Sequence, residues 1–271
     1  MGPLRYVVLE VTNACNLRCG HCGSTSGRPR ADELSFEEIA RTLREARALG
    51  CEEITVIGGE ALIRPDWAEI CGVVTDLGMR LVLVTNGLLI GEPERARLRE
   101  LRPFIVGVSI DGASPETYRR ARGVDGFDRV LELLHRLCDD GHPNVNAITT
   151  FTRANLGELE RFAELFDRTP ITWQVQLANR GGERFRPDQM MSREDYAAFV
   201  ERIRAVWTAR SETLRLSLMD DFGYRPLDAA LAAMCGGWRG CMAGREVLGI
   251  RANGDVLGCL SLGDGFVEAN L

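Results

Sequence analysis

Lysine is missing from this 271-residue chain, and all 33 of its basic side chains are arginine. A Schiff base through a protein amine is therefore closed to it, which excludes a pyridoxal phosphate linkage. Histidine is scarce as well. Only His21, His135 and His142 are present, so a histidine-rich metal site or a Ser-His-Asp triad has little to build on. No apolar run approaches the ~20 residues that a membrane-spanning helix needs. No signal peptide is expected, because Met1-Gly-Pro-Leu-Arg5 leads straight into the first strand-like segment. The net charge of −6 argues against the basic face that a nucleic-acid partner requires. A hydrophobic content of 45% and a charged content of 27% are ordinary for a globular protein, and the length suits one α/β barrel.

Cysteine, by contrast, is plentiful. Nine cysteines without a secretory context point to a reducing, cytoplasmic compartment and to metal rather than disulfides. Three of them fall within eight residues, Cys15-Asn-Leu-Arg-Cys19-Gly-His-Cys22, after the apolar run Tyr6-Val-Val-Leu-Glu-Val11. A disulfide pair with a spare thiol would suit a small secreted protein. A zinc loop would have to borrow a distant fourth ligand to close its shell. A [4Fe–4S] cluster takes one iron per cysteine, so three cysteines would leave one iron open to bind something else.

The first two-thirds of the chain alternates strand-like and helix-like segments. Strands are expected at Tyr6–Val11, Glu53–Ile57, Arg80–Val84, Phe104–Ile110, Val145–Thr150 and Ile171–Leu177, each short and almost continuously apolar, as strands covered on both faces are. Ser35-Phe-Glu-Glu38 reads as a capping box, with Ile39, Leu43, Ala46 and Leu49 on one helical face and Gly50 as the stop. Ser192-Arg-Glu-Asp195 opens a later helix in the same way, running through Tyr196–Arg210. Six βα units in succession predict a parallel sheet with right-handed crossovers. That is an α/β fold, a partial (β/α)6 TIM-like barrel, with active-site residues at the C-terminal ends of the strands. Asn179–Met191 reads as a loop, and after Arg210 the βα rhythm is expected to end. The division expected is therefore residues 1–210 for the barrel and 211–271 for a small cysteine-bearing extension.

A C-x3-C-x2-C triplet after the first strand resembles the signature of the radical S-adenosylmethionine (SAM) superfamily. The resemblance implies that Cys15, Cys19 and Cys22 hold a [4Fe–4S] cluster whose open iron is chelated by SAM. One electron then cleaves the C5′–S bond, and the 5′-deoxyadenosyl radical takes a hydrogen atom from the substrate. His21 stands where that family more usually has an aromatic residue, and could still pack near the adenine. At the end of the second strand, Gly58-Gly59-Glu60 offers close backbone approach and a carboxylate able to pair with an ammonium; a tight turn before a helix would read alike. By the resemblance these residues seat the amino group of SAM. Thr85-Asn86-Gly87, a turn signal, ends the third strand, which by the same resemblance also faces SAM. Val108-Ser109-Ile110-Asp111-Gly112, with the downstream Arg122-Gly123, is similar to the family's Ser-x-Asp-Gly segment and its Arg-Gly. It makes Ser109, Asp111 and Arg122 candidates for SAM contacts, although Arg122 alone also reads as a solvated cation at a helix end. Asn146, Thr150, Gln174 and Gln176 on the last two strands either line the cavity or satisfy buried backbone groups.

Cys235 and Cys241 are followed by Cys259, with a hairpin expected between Glu246–Ile250 and Asp255–Leu257 that turns at Asn253-Gly254. This spacing resembles the opening of a SPASM or twitch extension, implying that Cys235, Cys241 and Cys259 hold an auxiliary iron–sulfur cluster. Cys51, Cys71 and Cys138 read as buried thiols. Such an extension carries further cysteines, and Asp264–Leu271 looks like the lead into another segment. Leu260 stands where the sulfatase-maturating branch has an aspartate, which counts against that activity. The resemblance implies a radical SAM enzyme acting on a peptide, with a flavodoxin- or ferredoxin-type reductant. Against a peptide, no N-terminal recognition domain is expected, since the first strand begins at Tyr6. A dehydrogenase, decarboxylase or epimerase of a sugar or cofactor precursor is the alternative, and a non-catalytic iron–sulfur electron carrier is a third.

Overall fold

The computed structural model describes residues 4–178, 182–219, 222, 234 and 240–271. Six strands lie where the apolar runs predict them: β1 (Tyr6–Glu10), β2 (Glu53–Ile57), β3 (Arg80–Thr85), β4 (Ile105–Ser109), β5 (Val145–Phe151) and β6 (Thr172–Leu177). Each pairs in parallel with the next. The crossovers carry α1 (Phe36–Ala48), α2 (Trp67–Asp76), α3 (Glu92–Leu101), the pair α4 (Pro115–Arg122) and α5 (Phe127–Asp139), and α6 (Leu159–Phe166). A further helix, α7 (Arg193–Arg210), follows β6. Both expected capping boxes form, Ser35 with Glu38 and Ser192 with Asp195. Ile39, Leu43 and Ala46 are buried as expected, but Leu49 lies just past the helix end and is 64% exposed. Phe104, expected inside the fourth strand, precedes it and is also exposed.

The βα rhythm does not stop at Arg210. A seventh strand, β7 (Arg215–Leu218), pairs in parallel with β6. The expected hairpin is present as β8 (Val247–Ile250) and β9 (Asp255–Leu257), antiparallel to each other. Its first strand also pairs in parallel with β1, from Tyr6 opposite Val247 to Leu9 opposite Ile250. The sheet order is therefore β10-β9-β8-β1-β2-β3-β4-β5-β6-β7, with β10 (Ala269–Asn270) antiparallel to β9. The physical reason is edge protection: β8 covers the backbone donors and acceptors that β1 would otherwise present to solvent. The hairpin is part of the main sheet, and the architecture is a partial barrel of mostly parallel strands.

The core fills the space between sheet and helices. Trp173 stacks on Phe162, with centroids 5.8 Å apart, and meets Phe151 and Phe166. Its indole N–H donates to Thr149 Oγ1 at 3.0 Å, which satisfies the one polar atom such a core tryptophan brings. Cys51 and Cys71 are buried and Cys138 is half-buried, all three as free thiols. No helix among the described residues is long and apolar enough to cross a membrane.

Candidate active site

The segment after β1 crosses the C-terminal ends of the strands as a loop closed at its base. Glu33 accepts from Thr12 Oγ1 and from the amides of Asn13 and Arg30 at 2.7–2.9 Å. Asn13 in turn accepts from the amide of Gly27 and from Ser26 Oγ, both at 3.0 Å. Within this loop Cys19 is buried, and Cys15 and Cys22 are half-buried. All three line one cavity of about 310 Å³. The amide of Leu17 donates to Cys15 Sγ at 3.4 Å. Burial pushes the Cys15 thiol up to about 11, against the Leu17 amide and with Glu60 adding to the rise. A thiol in that setting keeps its proton until a metal takes the proton's place. Among the described residues no three His, Cys, Asp or Glu side chains converge on a single ion. A cluster instead holds each sulfur on its own iron, so three thiols opening separately on one cavity are a donor set that fits it.

The strand ends supply the rest of the wall. Gly58 and Gly59 line the cavity behind β2, and their lack of a side chain serves the chain's own packing too. A Cβ on Gly58 would lie 2.7 Å from the Thr12 carbonyl oxygen, and one on Gly59 would lie 2.3 Å from that of Ala14. The backbone is laced there, with Gly59 N donating to Thr12 O and Glu60 N to Ala14 O. Glu60 is 1% exposed, and its carboxylate turns inward. It accepts from Thr85 Oγ1 at 2.8 Å, Asn86 N at 2.7 Å and Leu62 N at 3.3 Å. Asn86 lines the cavity after β3 and donates from Nδ2 to Asn16 Oδ1 in the cysteine loop at 2.8 Å.

Ser109, at the end of β4, faces the cavity, whereas Asp111 is fully buried behind it. Asp111 Oδ1 accepts from Thr150 N at 2.7 Å. Its Oδ2 lies 2.6 Å from Arg122 Nε and 2.9 Å from His21 Nε2. Neither Asp111 Oδ2 nor Arg122 Nε has an aligned hydrogen-bond partner, so this pair holds by charge. Burial opposes ionisation of Asp111, yet Arg122 and His21 outweigh it and its carboxyl stays below the usual range. Arg122 lines the cavity and directs Nη1 at Cys19 Sγ, 3.6 Å away.

Of the looser candidates, Thr150 and Gln176 reach the cavity and are joined by a 2.9 Å hydrogen bond from Gln176 Nε2. Asn146 and Gln174 sit deeper along the same strands and bond to each other at 2.9 Å. Arg184 and Ser261, neither of them expected at the site, also line the cavity. Nothing in their local sequence marks them; only the tertiary fold brings them there. His21 was expected near an adenine. It lines the cavity too, with its Nε2 2.9 Å from Asp111 Oδ2.

Ser261 comes from the C-terminal region, two residues past Cys259, whose Sγ accepts from its amide at 3.4 Å. Cys259 is half-buried and Cys241 exposed. The turn after Cys241 packs on the residue before Cys259, such that a Cβ on Gly258 would lie 3.0 Å from Gly244 N. Cys235, the third residue expected to join them, lies outside the described residues.

Comparison with known proteins gives a consistent result. The sequence profile of the radical SAM superfamily matches residues 9–166. Mycofactocin maturase MftC from Mycobacterium ulcerans is 30% identical over 269 residues, which cover 97% of this chain and 70% of that protein. AdoMet-dependent heme synthase from Methanosarcina barkeri is 39% identical over 165 residues, 59% of this chain and 46% of that one. Among solved structures, Streptococcus suis SuiB bound to precursor peptide SuiA superposes with a TM-score of 0.82 at 20% identity, over 99% of this chain and 62% of that one.

Proposed function

The chain belongs to the radical SAM superfamily, and from that premise we propose that it is a maturase acting on a peptide. It is a radical SAM enzyme, and membership implies a [4Fe–4S] cluster and SAM. When bound and reduced, that pair supplies an electron to break the C5′–S bond of SAM, and the radical so made takes a hydrogen atom from the substrate. The observation that carries the reading is the convergence of one loop's three cysteines with the C-terminal ends of β2 to β6 around one cavity.

Cys15, Cys19 and Cys22 would hold the cluster. Gly58, Gly59, Asn86, Ser109 and Arg122 would contact SAM, with Arg122 offering the cation that a carboxylate would seek. Glu60 and Asp111 would act from behind this layer: the burial of both carboxylates and their protein partners support a role in holding Asn86 and Arg122 in place. Thr150, Gln176 and Ser261 would then face the substrate. An auxiliary cluster would sit beside the main sheet in the C-terminal region, with Cys235, Cys241 and Cys259 as ligands. The packing of the turn after Cys241 on the approach to Cys259 supports this.

A peptide substrate is favoured because the similarity to a named maturase runs over 269 residues and takes in the C-terminal cysteines. The similarity to the heme synthase covers 165, and it keeps a small-molecule substrate as the second reading.

Anaerobic reconstitution with iron and sulfide, then dithionite and SAM, tests the activity. The wild type should form 5′-deoxyadenosine, and a C15A/C19A/C22A variant none. No product from fully loaded wild type would overturn the enzyme reading. Stimulation of that product by short synthetic peptides supports a peptide substrate, and stimulation by an iron tetrapyrrole instead would overturn it.

A further inference from the structure

The segment after β6 lies across the cysteine loop, and its contacts there are unusually concentrated on one side chain. Arg184 donates from Nε to the Cys19 carbonyl at 3.3 Å, from Nη1 to that of Thr25 at 3.2 Å and from Nη2 to that of Ser26 at 2.8 Å. Glu183 N adds a bond to Thr25 Oγ1 at 2.9 Å. Gly182 passes so close that a Cβ there would lie 1.8 Å from the Cys22 carbonyl oxygen. One guanidinium thus gathers three carbonyls of a loop that lies 158–165 positions earlier in the chain.

We propose that Arg184 is a positioning residue for the cluster loop, holding Cys19 and Cys22 in the geometry that retains iron. The inference rests on the reading that Cys15, Cys19 and Cys22 ligate the cluster. The physical argument begins with the loop's dipoles. A loop that turns amides inward toward cysteine sulfur, as Leu17 does toward Cys15, must turn carbonyls outward elsewhere. Clustered carbonyl oxygens repel one another unless a donor lies among them. A planar guanidinium can serve three at once in a fixed fork, and a lysine ammonium cannot match that geometry. The same cation places positive charge beside Cys19, on the cavity wall. Net charge and hydrogen bonds near the sulfurs set a cluster's reduction potential, so Arg184 should raise it.

The test compares reconstituted wild type with R184A, G182A and R186A. Arg186 sits in the same segment, is exposed and pairs with Asp188, so R186A is the control. The readouts are the rate of iron loss to the chelator ferrozine and the midpoint potential from an EPR-monitored titration, with far-UV circular dichroism confirming the fold. The iron fraction scored is the one absent from C15A/C19A/C22A. If that triple variant keeps all the iron, the cluster reading itself fails, separately from the role of Arg184. R184A and G182A should release the scored iron about 10–100-fold faster, the usual effect of losing a partner that orients metal ligands. R184A should also shift the potential to more negative values, while R186A behaves as wild type. Wild-type release rates in R184A and G182A, an unmoved potential in R184A, or equal loss in R186A would overturn the proposal.

Discussion

The buried pair of Asp111 and Arg122 invites a quantitative test that needs no cofactor. Asp111 is fully buried and the Arg122 side chain is 10% exposed, with 2.6 Å between Oδ2 and Nε. Asp111→Asn keeps the acceptor for Thr150 N but removes the charge, stranding a guanidinium in the interior. Breaking one side of such a pair costs about 3–5 kcal/mol. Arg122→Gln strands the carboxylate instead, leaving it Thr150 N and His21 as neighbours but no guanidinium, at a comparable cost. The double variant leaves two neutral amides and no stranded charge, so it should be much less damaged than the sum. A coupling energy of about 2–3 kcal/mol is expected, at the upper end for residues in contact. Urea denaturation of the metal-free, reduced chain, followed by circular dichroism for all four proteins, gives the cycle directly. Additivity within about 0.5 kcal/mol, the behaviour of independent sites, would refute the reasoning.

Two further substitutions probe the scaffold. Gly59→Ala should destabilise by about 2–3 kcal/mol, because the new Cβ meets the Ala14 backbone at 2.3 Å and overpacked sites strain by that order. Gly157→Ala, where nothing lies within 4 Å, should stay within about 0.5 kcal/mol of wild type; equal losses by urea denaturation would sink the account. Asp140 accepts both Nε and Nη2 of Arg95 at 2.7 Å, with Arg99 Nη1 at 3.0 Å. The hydrogen bonds from Arg95 hold its carboxyl below the usual range, so its stabilisation is present above the unfolded-state value and is lost as pH falls through the folded one. Asp140→Asn should cost about 1 kcal/mol at neutral pH, and the gap to wild type should close below about pH 4. A gap unchanged from pH 7 to pH 3 would contradict it.

How much of this was legible beforehand depends on whether a signal is local. Six strands and both capping boxes are written in short stretches, and their positions agree with the structure to within about a residue at most ends. The three cysteines, Gly58-Gly59, Asn86, Ser109 and Arg122 are likewise marked by spacing at strand ends, and all of them reach the cavity. The strand β7 was missed because Arg-Leu-Ser-Leu is too short and too evenly alternating to announce a parallel edge. The pairing of β8 with β1 joins residues some 240 positions apart, for which a hairpin signal carries no information. The same holds at the site. Glu60 and Asp111 were legible as carboxylates near the chemistry, but their inward hydrogen bonds and ion pairs were not, since Asp111 finds His21 across 90 positions of sequence. Arg184 lies in a stretch that reads only as a loop. The cysteine spacing is therefore encoded locally, whereas the contacts around its loop are tertiary, among them buried charges and a guanidinium from the far side of β6. The variants that remove those tertiary contacts, D111N and R184A, leave every cysteine in place, and they separate the presence of the three thiols from the contacts that fix their loop.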